Sequence, residues 1–131
     1  MLVDSGTLAT HHRRCEEFFA AAERTARDKR WDELAARVNE LREAVLAHFK
    51  YEEKHIFPLY EQSSGLEGST EWLCAQHDDM RAAFWILGTL SPQADSERYC
   101  AELAKLRADF DAHADDEEKR MYPVFESLLR K

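Results

Sequence analysis

The sequence predicts an all-α protein folded as an up-down-up-down four-helix bundle. In four stretches of the chain, apolar residues recur at alternating steps of three and four, which is typical of a helix face packed in a bundle. Turn-forming residues cluster at 62–70 and 88–96, with a weaker break near 28–32. Such short connections require consecutive helices to run antiparallel. The 131 residues fit one domain, which we assign to 1–131.

The predicted helices cover roughly residues 7–28, 31–61, 70–88 and 92–129. The residues of the repeating face are, in the first helix, Leu8, His12, Cys15, Phe19, Ala22 and Ala26; in the second, Leu34, Val38, Leu41, Val45, His48, Glu52, His55 and Leu59; in the third, Leu73, His77, Met80, Phe84 and Leu87; and in the fourth, Tyr99, Leu103, Leu106, Phe110, His113, Glu117 and Val124. Thr70 is expected to cap the third helix, and Ser91, followed by Pro92, the fourth. Pro58 and Pro123 fall inside predicted helices and should bend them.

The second half of the sequence repeats the first at an offset of 65 residues. The repeated unit reads HFKYEEKHIFP at 48–58 and HADDEEKRMYP at 113–123, and the same shift places His12 on His77. This repeat predicts two helical hairpins related by a pseudo-twofold axis, with equivalent side chains at equivalent depths in the bundle.

Each half of the repeat places polar side chains on a helix face that is otherwise apolar. Such groups are costly to bury unless they are hydrogen-bonded or bind something. Residues four apart lie one turn apart on one face, so the histidine and glutamate of each repeat can converge on one point. A single His-x3-Glu pair is ordinarily a surface hydrogen bond, whereas two copies on buried faces favour a metal site. The predicted ligands are His12, His48, Glu52, His77, His113 and Glu117.

The composition of this ligand set indicates which metal it suits. Two imidazoles for each ion, with two carboxylates shared between the ions, suit a pair of iron ions, and manganese is an alternative. A closed zinc site would need four ligands, and six are present. The Glu-x-x-His motif of ferritin-like di-iron bundles has the reverse order and a different step, so that subfamily does not fit.

The pattern of these six residues resembles the hemerythrin-like HHE cation-binding family, over nearly the whole chain. The doubled HxxxEE…(F/Y)P unit is quite specific to that family. The resemblance implies a non-haem di-iron centre, oxo- or hydroxo-bridged, that binds dioxygen, nitric oxide or peroxide. It also implies that His12 and His48 serve one iron, that His77 and His113 serve the other, and that Glu52 and Glu117 bridge the two.

The sequence departs from the oxygen-carrying members of the family at two points. Those members resemble His-x3-His in the third helix, whereas here Arg81 stands four residues after His77. Their last carboxylate is typically an aspartate five residues after its histidine, whereas Glu117 follows His113 by four. The missing imidazole should leave both irons alike and more open, which favours a stress-response or repair role over oxygen carriage.

Several neighbours of the predicted ligands are candidates for supporting roles. A histidine that binds a metal through one ring nitrogen commonly donates its other ring N–H to an acceptor on a neighbouring residue. The candidates for contacts of this kind are Glu16, Arg81, Glu53, Glu118 and His55. Glu16 is expected to accept from an imidazole, to pair with Arg81 or to be an ordinary charge on the helix surface, and His55 to lie partly buried or at an entrance. His11 is expected to face solvent, and Cys15 to pack in the core, with redox work as a minor hypothesis.

Charge and cysteine content exclude some functions. The formal net charge of −8 provides no basic footprint for nucleic acid or an anionic membrane surface. The longest apolar stretches, such as 82–87, are too short to span a bilayer. Three cysteines cannot all pair, so we expect a reduced, cytoplasmic chain.

Three functions remain open on the sequence alone. The first is a di-iron protein that binds or reacts with a small diatomic molecule or peroxide. The second is an iron donor or repair factor for damaged iron–sulfur centres. The third is a metal-free helical interaction module. Whether the protein is an enzyme, and whether it has a protein partner, are left undecided.

Overall fold

Four long helices form the fold. The computed structural model describes residues 5–129, in which the backbone forms helices and their connections and contains no strand. The elements are α1 (Ser5–Arg27), α2 (Trp31–Tyr51), α3 (Phe57–Ser64), α4 (Glu71–Thr89), α5 (Ser96–Asp116) and α6 (Tyr122–Leu129). The backbone stays helical from α2 into α3 and from α5 into α6, so the six elements make four rods. The predicted all-α four-helix bundle is confirmed.

A single π-helical turn joins the two parts of each composite rod, at Glu52–Ile56 and at Glu117–Met121. The N–H that follows each turn donates to the carbonyl of the glutamate five residues back, rather than four. A proline, Pro58 or Pro123, comes directly afterwards and has no N–H to continue the ladder. The disruption expected at each proline therefore takes the form of a wider turn that begins at a predicted ligand.

Two apolar clusters fill the bundle. The larger one includes Phe19, Leu41, Phe49 and Phe110, all fully buried. The smaller one, towards the other end, consists of Leu8, Ile56, Phe57, Leu73, Met121 and Tyr122. On every rod the predicted ligands fall in the sequence between a member of one cluster and a member of the other. The ligand layer is therefore enclosed on both sides by packed hydrocarbon.

Two predicted helix starts differ in detail from the structure. The last rod begins at Ser96, not at residue 92, because 91–95 form a turn of their own. In that turn the Ser91 N–H donates to Asp95 Oδ2 at 2.9 Å, and the Ala94 N–H donates to Ser91 Oγ at 3.2 Å. Thr70 does precede α4, but its hydroxyl donates to the Glu61 carboxylate instead of capping the helix.

Candidate metal centre

The structure brings all six predicted ligands into one layer inside the bundle. None of their side chains is more than 4% exposed, and both glutamates are fully buried. They come from all four rods: α1 supplies one histidine, α4 another, and each composite rod supplies a histidine and, one turn later, the glutamate that opens its π-helical turn. Because these polar groups are buried away from water, they need hydrogen-bond partners or a bound ion inside the protein.

Each glutamate lies between two imidazoles. Glu52 Oε1 is 3.3 Å from His48 Nε2 and 3.2 Å from His77 Nε2. Glu117 Oε1 is 3.2 Å from His12 Nε2 and 3.0 Å from His113 Nε2. Two groups that could each hold a metal ion result, and they share both carboxylates: His12, His48, Glu52 and Glu117 form one, and His77, His113, Glu52 and Glu117 the other.

The outer nitrogen of each imidazole faces a partner on another helix. His77 Nδ1 donates to Glu53 Oε2 at 2.7 Å, and His113 Nδ1 donates to Gln76 Oε1 at 2.6 Å. Because these acceptors fix the ring proton on Nδ1, both Nε2 atoms carry lone pairs. Yet the two Nε2 atoms are only 3.0 Å apart. Two lone pairs that face each other at this distance repel unless a cation or a proton lies between them.

The same layer contains polar atoms that make no hydrogen bond to any of the described residues. They are His48 Nε2 and all four carboxylate oxygens of Glu52 and Glu117. A buried charge without a partner costs several kcal/mol. In each of the two groups, one donor atom from every residue lies within 4.8 Å of the donor atoms of the others. Imidazole nitrogen and carboxylate oxygen donors gathered in this way can hold a metal ion.

A sequence comparison gives the layer a family. A model described as the Hemerythrin HHE cation binding domain matches residues 4–125. The chain belongs to this family. No curated protein and no solved structure matches the chain significantly. Membership in the HHE family, together with the buried His/Glu layer, makes this a metal-binding protein, and the metal typical of the family is iron.

Burial sets the protonation of this HHE layer. It lowers the pKa of His48 to about 3 and that of His77 to about 4, with a neighbouring imidazole acting in the same direction. Burial, reinforced by the adjacent Glu117 carboxylate, raises the pKa of Glu52. Neutral imidazole is the form that binds metal, so the site disfavours the proton that would compete with an ion at these two rings.

Glu53 and Glu118 each contact a predicted ligand imidazole, as the sequence suggested, but the contact of Glu53 is shorter than that of Glu118. Burial opposes ionisation of Glu53, yet hydrogen bonds from Arg81 and His77 hold its pKa below the ordinary value. The Arg81 guanidinium donates hydrogen bonds to both oxygens of that carboxylate, at 2.9 and 2.8 Å. Glu118 Oε1 is 3.3 Å from His12 Nδ1, and its side chain is 42% exposed.

Within the described part of the chain, two of the three alternatives for Glu16 are not observed, and His55 is not buried. Arg81 pairs with Glu53 and Asp78 rather than with Glu16. Among the described residues, Glu16 makes no hydrogen bond to any of the four layer imidazoles. His55 is exposed and rests against the Tyr51 ring, with the ring centroids 5.3 Å apart. It points away from the layer because it follows Glu52 by three residues across the π-helical turn.

Sequence reasoning also missed three residues that contact the layer. His11 is half-buried, not solvent-facing, and its Nδ1 is 3.4 Å from His48 Nδ1. Gln76, its counterpart at the offset of 65, supports His113. The buried Tyr122 hydroxyl lies 3.2 Å from His12 Nε2, on the face that points into the layer. The repeat held a signal for all three, because it aligns His11 with Gln76 and Tyr122 with Phe57.

The remaining observations concern the cysteines and the surface. All three cysteines are free. Burial raises the pKa of Cys15 to about 12, so its thiol stays protonated and does not serve as a reactive thiolate. Within residues 5–129, no helix is long and apolar enough to cross a membrane.

Proposed function

We propose that this HHE domain binds two iron ions and that the ion pair binds or reacts with a small oxidant such as dioxygen, nitric oxide or peroxide. His12 and His48 would hold one ion, and His77 and His113 the other. Glu52 and Glu117, which belong to both groups, would supply carboxylate oxygens to both ions. Manganese is the alternative metal.

One observation carries the proposal. The nitrogen and oxygen lone pairs of six buried side chains converge on one space, and the His77 and His113 Nε2 atoms approach each other to 3.0 Å. Two divalent cations would remove both the lone-pair repulsion and the uncompensated burial of two carboxylates. A metal-free network can relieve the carboxylates through a proton on Glu52, whose pKa is raised by burial and by Glu117. It leaves the His77–His113 repulsion in place, which argues against the interaction-module alternative.

The protein around the ions would control access and orientation. A pair of ferrous ions with open coordination positions can supply electrons to a bound oxidant. Phe49 stacks on the His77 ring at a centroid distance of 3.9 Å, and Phe110 lies 5.9 Å from the His12 ring. These aromatic rings exclude water from the layer. The Tyr122 hydroxyl is placed to donate a hydrogen bond beside His12.

Burial also bears on the iron-donor alternative. A protein that hands iron to damaged clusters needs its ligands to open towards a recipient. Here all six side chains are at most 4% exposed and the layer lies between two apolar clusters. This burial favours chemistry on a small molecule that diffuses in over direct transfer of the ion.

Metal analysis of three variants tests the ligand set. His48→Ala and Glu117→Ala should lose most of the bound iron and its visible absorption. His55→Ala, which removes an exposed histidine outside the layer, should keep both. Full iron content in the first two variants would refute the assignment. Spectra of the wild-type protein under anaerobic conditions, dioxygen and nitric oxide then test the second half of the proposal, which fails if no spectrum changes.

A further inference from the structure

Two grooves reach the outer faces of ligand imidazoles. One lies between α1 and α2 and ends on His48; the other lies between α4 and α5 and ends on His113. All six residues that line the second groove correspond, at the offset of 65, to residues that line the first. The pairs are His11 and Gln76, Arg14 and Asp79, Cys15 and Met80, Ala44 and Asp109, Ala47 and Ala112, and His48 and His113. The two grooves are therefore equivalent places in the repeat and can be compared directly.

The grooves differ in size and lining. The groove at His48 has a volume of about 620 Å³, against about 190 Å³ at His113. Small side chains keep the first one open, since Ala44 stands where the second has Asp109, and Cys15 where it has Met80. The larger volume lies within the range of small-molecule sites, whereas the smaller one falls below it.

The inner walls also differ. In each groove the ligand imidazole is the last side chain before the metal layer, so its freedom to shift decides whether a molecule can pass. His113 is held by a 2.6 Å hydrogen bond to Gln76. His48 has only the 3.4 Å contact with His11, which is the longest of the four Nδ1 contacts in the layer. His48 is therefore the less tightly held wall, and it stands in the wider groove.

We propose that the groove between α1 and α2 is the entrance through which small molecules reach the metal layer. Ala47 at its rim sets the width, and the loosely held His11–His48 pair forms the inner gate. The groove between α4 and α5 is its narrower counterpart and does not serve as the main route. This inference rests on the proposed function, because it gives the route by which a small ligand would reach the ion pair.

Two matched substitutions test the route. Ala47 and Ala112 are both exposed and equivalent in the repeat, so Ala47→Trp fills one groove and Ala112→Trp the other. Azide serves as the probe, and its association with the iron-loaded protein is followed by stopped-flow absorption. Ala47→Trp should slow association several-fold while leaving iron content and the spectrum at saturating azide unchanged. Ala112→Trp should associate at the wild-type rate. Ala47→Leu, a smaller plug, should give an intermediate rate if the tryptophan disturbs folding.

A second measurement decides the route without iron. Dissolved dioxygen is paramagnetic and broadens the amide signals of residues along its path in a diamagnetic protein. Signals around Ala47 should broaden more than those around Ala112. Equal broadening, or slower azide association in Ala112→Trp than in Ala47→Trp, would overturn the inference. Failure of the wild-type protein to bind iron would overturn the proposed function instead, and the dioxygen experiment would still decide the groove.

Discussion

The carboxylate behind His77 offers the sharpest test of how this layer is held. Glu53 Oε2 accepts from His77 Nδ1 at 2.7 Å and at the same time from Arg81, whose guanidinium also binds Oε1. Glu53→Gln keeps the size of the side chain but replaces one oxygen with an NH2 group. That group cannot accept from Arg81, so the hydrogen bond at Oε1 is lost, and the uncharged oxygen that remains is a weaker acceptor for His77 Nδ1.

The expected size of the effect follows from the role of such contacts. Loss of the partner behind a metal-bound imidazole typically weakens metal binding by about 10- to 100-fold, or roughly 1.4 to 2.8 kcal/mol. We place Glu53→Gln within this range because its hydrogen bond is short and the Arg81 fork fixes its geometry. The loss should fall on the ion held by His77 and His113.

The repeat provides a matched control. Glu118 stands behind His12 as Glu53 stands behind His77, but its contact is 3.3 Å long and its side chain is 42% exposed. Water can replace an acceptor in that position. Glu118→Gln should therefore cost no more than about 1 kcal/mol of metal affinity, as exposed ion pairs do.

Anaerobic titration of ferrous iron against a competing chelator measures both affinities in each variant. The expected result is a clear loss at one of the two ions in Glu53→Gln and little change in Glu118→Gln. Equal losses in the two variants would show that distance and burial do not govern these contacts. A larger loss in Glu118→Gln would refute the reasoning altogether.

Two further predictions concern acid and the tyrosine. In metal-free protein, the lowered pKa values of His48 and His77 (about 3 and 4, against 6.5) mean that the unfolded chain takes up these protons first as pH falls. Each of these histidines should therefore lower the free energy of unfolding by about 1.4 kcal/mol per pH unit as pH falls from 6.5 to about 4. Glu52, whose pKa is raised in the folded protein, takes up its proton there first and offsets part of this loss. Urea denaturation should show a net decrease in stability because two histidines oppose one glutamate; constant stability would contradict this. Tyr122→Phe should retain its iron and change stability by no more than about 1 kcal/mol, but should shift the spectrum of the azide adduct, because a donor 3.2 Å from His12 is lost. Phe57→Tyr is the matched control, and identical spectra for Tyr122→Phe and wild type would contradict the donor role.

The fold and the ligand layer were predictable because both depend on helical periodicity. Steps of three and four residues identify the face of a helix that packs inwards, and a polar residue on that face must then lie in the core. The interval of 65 residues between His48 and His113 repeats between Glu52 and Glu117, so both pairs were expected at one depth. Burial of all four residues agrees with that expectation.

The contacts behind the imidazoles were harder to predict because they depend on how neighbouring helices are rotated. Periodicity places Glu53 about 100° away from the face of Glu52, a position where a charged side chain ordinarily faces solvent. Whether such a side chain meets solvent or an imidazole depends on which rod lies beside it. His11 illustrates the same limit, since the structure turns it towards His48.

Two irons with similar surroundings were also expected. The reason is that Arg81 stands where the oxygen-carrying members of the family have a further histidine on one iron. In the structure the two halves differ in the residues that contact the outer nitrogens of the four imidazoles. On the His77 side the imidazole contacts are short, at 2.7 and 2.6 Å, while on the His12 side they are 3.3 and 3.4 Å.

The positions of the four supporting residues explain how one sequence unit can build both halves and still differentiate them. Each supporting residue is the chain neighbour of a ligand: His11 and Gln76 precede a ligand histidine, and Glu53 and Glu118 follow a ligand glutamate. Each contacts an imidazole on a different rod. Every segment that carries a predicted ligand therefore also carries a residue that positions a predicted ligand on another rod. A single substitution next to a predicted ligand can therefore change how firmly an imidazole on a neighbouring rod is held, without altering the six predicted ligands. The half with the short imidazole contacts contains Gln76 where the other half has His11, and it contains Arg81, which binds Glu53. The half with the longer contacts lies beside the wider groove, so the looser support of the imidazoles and the larger opening fall on the same side of the layer.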